Sequence, residues 1–126
     1  CADVEILLIR GNHDLKSGDP WPELSIKCLP EPFQMEKWAC RHHPLENGNF
    51  PYLAGHIHPG YKVRGTGRGG LRDACFWVRK DSIVLPAFGS FTGLKNVMPS
   101  SSEDIYLTNN EEIVKVVTQK NIRKSG

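Results

Sequence analysis

Apolar residues along this chain fall in short runs rather than in long amphipathic stretches. Val4 to Ile9 is a nearly continuous apolar run with one charge, the pattern of a strand covered on both faces. Leu24 to Leu29 predicts a short strand, interrupted afterwards by Pro30 and Pro32. Trp38-Ala39-Cys40 and Tyr52-Leu53-Ala54 are brief apolar runs, and Tyr61 to Arg64 alternates as a half-buried strand does. Ala74 to Val78 and Ser82 to Leu85 predict a hairpin closed by Arg79-Lys80-Asp81. Asp104 to Leu107 and Ile113 to Val117 predict two last strands around Thr108-Asn109-Asn110-Glu111. Residues 16–23, 65–70 and 86–93 are rich in Gly or Pro and predict loops. No segment has the 3.6-residue period of a helix of about ten residues or more. The chain therefore predicts a β-rich fold, with polar residues from 118 onward expected to form a frayed tail.

The three runs that end at Ile9, Cys40 and Ala54 are each followed by a histidine motif. The first is Gly11-Asn12-His13-Asp14, the second His42-His43-Pro44, the third Gly55-His56-Ile57-His58. All 5 histidines of the 126-residue chain lie in these motifs. Imidazoles, a carboxamide and a carboxylate gathered at strand ends point to a metal site. If the last motif is extended, His56 and His58, two residues apart, face the same way. Asn12 adds a neutral oxygen donor. His13 suits proton delivery or contact with a phosphate, because imidazole titrates near working pH, and Asp14 could orient its ring. Spacing leaves open which of His42 and His43 ligates.

Composition narrows the setting. A hydrophobic fraction of 39% supports a single modest core, and a net charge of +2 says little about partners. The charge is uneven, however: Lys62, Arg64, Arg68, Arg72, Arg79 and Lys80 fall in one stretch with only Asp73 against them. Arg64, Arg68 and Arg72, interleaved with glycines, read as a grip on a phosphate backbone or, equally, as a solvated hairpin face. Gly89 to Gly93 could set N–H groups near a phosphate, but the reading favours a structural turn with Phe88 and Phe91 in the core. Cys75, Phe76 and Trp77 are expected in the core as well. The 4 cysteines show no CxxC pairing and are expected to be reduced. With no membrane-length apolar run and no secretory leader pattern, a cytoplasmic, non-membrane protein is expected.

Asn12-His13-Asp14, then His42-x-Pro44, then Gly55-His56-x-His58 together resemble the C-terminal half of the calcineurin-like metallophosphoesterase pattern. Arg10 to Asp14, Cys75-Phe76-Trp77 and Leu85 to Gly93 extend the resemblance to the bacterial ligase-associated DNA damage response endonuclease branch. It covers the chain to about Gly93.

The resemblance implies an α/β fold, here the C-terminal, β-rich half of an α/β/β/α sandwich. Residues 1–117 would be the C-terminal part of one metallophosphoesterase domain and 118–126 a polar tail. It implies a dinuclear centre of two divalent cations, manganese first, with zinc, iron or nickel compatible with the donors. It implies hydrolysis of phosphate esters of the phosphodiesterase or DNA endonuclease type, and a functional link to a DNA ligase.

Position by position, Asn12, His42 and His56 match ligands of the second metal and His58 a ligand of the first. His13, with Asp14 beside it, matches the histidine that contacts the phosphate. His43 is not assigned. The pattern's Asp-x-His and Gly-Asp-x-x-His are missing and would lie upstream of Cys1. The isolated chain is accordingly expected to bind at most one metal weakly and to be inactive. The alternative is a non-catalytic module, derived from a phosphoesterase, that binds nucleic acid or a partner chain.

Overall fold

The structure is a computed structural model, described over residues 3–46, 51–62, 72–89, 93–109 and 111–116. The chain runs β1 (Ile6–Ile9), α1 (Asn12–Ser17), one 3₁₀ turn (Pro22–Leu24), β2 (Ile26–Leu29), β3 (Phe33–Met35), β4 (Trp38–Arg41), β5 (Tyr52–Ala54), β6 (Pro59–Lys62), β7 (Arg72–Val78), β8 (Ser82–Val84), β9 (Lys95–Asn96), β10 (Asp104–Thr108) and β11 (Ile113–Lys115).

This corrects the expected α/β sandwich. Strands make up 43% of the described residues and helices 9%, so the chain is a small, mostly β domain; only the β-rich part of the expectation agrees. The physical reason lies in segment length. α1 spans 6 residues, begins after the extended Gly11 and stops at Gly18, whose φ of 87° suits glycine. No other described apolar stretch is long enough, or free enough of Pro and Gly, to nucleate a longer helix.

Strands β1 and β2 form a separate parallel pair, in register from Ile6↔Ile26 to Ile9↔Leu29. The other nine form one sheet with the path β11-β10-β7-β8-β5-β4-β3, β6 joining β7 and β9. Its centre is parallel: β4 with β5, and β5 with β8. Arg41, Ala54 and Val84 end flush in this register. The next row continues the ladder, with Gly55 N–H donating to the His42 carbonyl at 3.1 Å and Leu85 N–H to that of Ala54 at 2.7 Å. The loops after β4 and β5 therefore leave the sheet side by side.

The predicted hairpin is present, β7 against β8 through Trp77↔Val84 and Val78↔Ile83. The last two strands pair antiparallel through Thr108↔Ile113. Lys62 and Arg72 face each other across β6 and β7. Val63 to Leu71, including Arg64 and Arg68, and the expected tail at 118–126 lie outside the described residues.

Cys75, Val97 and Ile105 form the buried cluster, with Tyr61, Trp77, Leu107 and Val116 packed on it. The expected core positions of Cys75 and Trp77 agree. Phe88 does not: its side chain is fully exposed. Phe91 is not among the described residues. Cys28, Cys40 and Cys75 are free thiols, and among the described residues no helix is long and apolar enough to cross a membrane.

Candidate metal centre

Four strand ends supply the site, an arrangement parallel strands favour because their C-terminal loops open on one side. β1 leads through Arg10 and Gly11 to Asn12 at the start of α1. β4 leads directly into His42 and His43, and β5 into Gly55 and His56. β2 leads to Glu31.

His42 is at the centre. Its Nε2 lies 3.0 Å from Asn12 Oδ1 and 3.0 Å from His56 Nδ1. With the Asn12 oxygen turned inward, a ring proton can bridge one of these pairs at a time; a cation accepts lone pairs from all three. Ligands at right angles about a small divalent cation, each about 2.1 Å from it, lie about 3.0 Å apart. The donor set of two imidazoles and one carboxamide oxygen thus fits a divalent cation in both chemistry and spacing.

His42, His43 and His56 could together hold a metal, each offering a ring nitrogen within 4.8 Å of the others. The His43 ring sits edge-on to that of His42 at 4.7 Å and 4.5 Å from that of His56.

The surroundings of His42 and His56 favour the neutral, ligating form of these two rings. Burial lowers the pKa of His42, and a charge on His43 or His56 would lower it further. Burial likewise lowers that of His56, aided by His43, His58 and His13. A ring that resists protonation keeps its lone pair.

The supports are local and specific. A Cβ on Gly11 would stand 2.4 Å from the His42 ring, so only glycine lets that ring lie against the turn. Asp14 Oδ2 accepts the Gly11 N–H at 2.8 Å; its carboxylate caps α1, and its hydrogen bond goes there rather than to the His13 ring. Arg10 forks onto Asp19 with two 2.8 Å bonds, tying the loop beyond α1 to the end of β1. Tyr52 Oη accepts the Leu45 N–H at 2.9 Å and donates to its carbonyl at 2.6 Å, closing the loop after His43-Pro44.

His56 and His58 have φ of 70° and 56°. Both are left-handed, so the extended alternation expected for this motif does not apply. Such backbone costs about 1–3 kcal/mol per residue and is characteristic of functional sites. His58 lies outside the cluster of converging ring nitrogens; its carbonyl accepts the Lys95 N–H at 2.9 Å, where β6 begins. His13 is exposed on α1, close enough to His56 to influence its titration. Arg72 is exposed and donates to the Leu94 carbonyl at 3.2 Å.

The chain is similar to a solved structure, the nuclease MPE of Pseudomonas putida, with 38% identity and a TM-score of 0.78 over 91% of this chain and 55% of that one. This chain thus spans about half the length of that protein. Neither a protein-family model nor a curated protein matches the sequence.

Sequence reasoning missed Glu31. Its Oε2 accepts the N–H groups of His42 and His43 at 2.8 and 3.0 Å, and its Oε1 meets His43 Nδ1 at 2.6 Å. It belongs to no motif and lies 11 residues from His42, so only the fold brings them together. Of the two adjacent histidines, His42 is the one that meets Asn12, and His43 the one held by this carboxylate.

Proposed function

We propose that this chain carries one cation site of a metal-dependent phosphoesterase of nuclease type. Residues 1–117 would be the C-terminal part of a single phosphoesterase domain. Asn12, His42 and His56 would hold one divalent cation and His58 would serve a second, manganese being the first choice and zinc, iron or nickel compatible with the donors. The observation that carries this reading is the convergence of Asn12 Oδ1 and His56 Nδ1 on His42 Nε2 at 3.0 Å. The likeness to a nuclease supports the choice of phosphodiesters as substrate class.

A bound divalent cation supplies Lewis-acid polarisation of a phosphoryl oxygen and neutralises its charge. The remaining work falls to this chain's residues. His13, exposed beside His56, can hold a proton at a ring nitrogen and release it to a leaving oxygen. Asp14 keeps the start of α1, and with it His13, in place through Gly11 N–H. Arg64, Arg68 and Arg72 would bind the backbone of a nucleic acid.

The test uses the full-length protein carrying this chain. With Mn²⁺ it should hydrolyse DNA oligonucleotides and lose activity in chelator. His13→Ala should slow turnover at least about 100-fold with Mn²⁺ binding retained, and Asn12→Ala or His42→Ala should abolish binding. Activity untouched by these changes would sink the reading. Each of Arg64, Arg68 and Arg72 replaced by Ala should reduce the salt slope of DNA binding by about 1; an unchanged slope would remove them from the interface.

A further inference from the structure

Glu31 lies between Pro30 and Pro32, just past the C-terminal end of β2 and outside every motif, yet it is joined to the histidine cluster by three hydrogen bonds. A carboxylate oxygen 2.6 Å from a ring nitrogen requires a proton between them. Glu31 Oε2 already accepts the N–H groups of both His42 and His43. With Glu31 the acceptor throughout, His43 Nδ1 is the donor, and in the neutral ring Nε2 keeps its lone pair. The same ring stands against those of His42 and His56.

We propose that Glu31 is the positioning residue of the cation site: it ties down the strand end from which His42 projects and turns His43 so that it becomes a third imidazole donor. The inference rests on the cation-site reading above. It has a general physical basis. A histidine that meets a metal commonly donates its other ring N–H to a carboxylate, and losing that partner weakens metal binding about 10–100-fold. Here the carboxylate also holds two backbone N–H groups, so one side chain orders the ring and the peptide that carries its neighbour.

The experiment pairs two measurements on the full-length protein carrying this chain. Long-range ¹H–¹⁵N NMR of the metal-free protein reads which ring nitrogen of His43 carries the proton. Calorimetric titration with Mn²⁺ reads affinity. The wild type should show the Nδ1–H form and bind Mn²⁺. Glu31→Gln should lose that form and bind about 10–100-fold more weakly. His43→Asn, which leaves both backbone bonds to Glu31 in place, should bind at least about threefold more weakly.

A folded Glu31→Gln protein that binds Mn²⁺ like the wild type overturns the proposal and leaves the cation site standing, whatever happens to its melting temperature. If Glu31→Gln does not fold, wild-type affinity in His43→Asn overturns it. A wild type that binds no Mn²⁺ overturns both readings.

Discussion

At the scale of the residue, the site depends on small and charged groups as much as on its histidines. Gly11 leaves no room for a side chain against His42, so Gly11→Ala should displace that ring. The expected cost is about 1–3 kcal/mol of stability from overpacking, with Mn²⁺ binding at least about tenfold weaker, read by urea unfolding and calorimetry on the full-length protein. Glu31 has a second consequence. Its folded pKa, about 2, lies below the ordinary 4.5, so the unfolded chain binds protons more readily as pH falls. The stability it contributes is complete above about pH 4.5 and is lost as pH drops towards 2. The lowered values of His42 and His56 act in the same direction from about pH 6.5 downward. Unfolding free energies of wild type and Glu31→Gln measured from pH 7 to pH 3 should converge at the acid end; parallel curves would remove Glu31 from the linkage. Gly11, Asn12 and the histidines were legible in the sequence because chemistry restricts those residue types. Glu31 was not, because a carboxylate beside two prolines has no local signature.

At the scale of the element, strand positions followed the apolar runs well. The run through Ile9 became β1, and Tyr52-Leu53-Ala54 became β5. Among the elements the apolar pattern does not show, β3 and α1 have clear physical reasons. β3, Phe33–Met35, is too short to show a period and follows Pro32; it exists because a turn with Glu36 at φ 54° folds it back on β4. α1 has 6 residues, fewer than two helical turns, and is held by its ends rather than by an apolar stripe. Loops are likewise set by partners distant in sequence. Tyr52→Phe removes both bonds to Leu45 and should cost about 1 kcal/mol of unfolding free energy, the Leu45 carbonyl keeping the Arg79 guanidinium as donor. A change under about 0.3 kcal/mol would show that water replaces the hydroxyl.

At the scale of the whole molecule, the two parallel systems are unequally covered. The nine-stranded sheet buries Tyr52, Ala54, Cys75, Val84 and Ile105, whereas Val4, Ile6, Leu15, Trp21 and Leu24 are all exposed around β1, α1 and the 3₁₀ turn. Parallel strands are normally covered on both faces, and exposed apolar surface promotes association. The 126-residue chain on its own should therefore self-associate at micromolar concentration in sedimentation velocity, and the double change Trp21→Ser, Leu24→Ser should reduce it. A monodisperse wild-type chain would show that this surface is not sticky enough to matter.

The sequence by itself determined where most of the short strands lie, that the three histidine motifs follow three of them, and that Asn12 and imidazoles are the side chains there with lone pairs to offer. These are local properties, set by apolar periodicity and by the few side chains that offer lone pairs to a cation. Only the tertiary structure decided that β4 and β5 run parallel and end flush, that His42 rather than His43 meets Asn12, that the Gly-His-x-His turn is left-handed, and that Glu31 closes on the cluster. Each of these depends on strand order and register, and those are chosen by packing between segments that the chain keeps far apart.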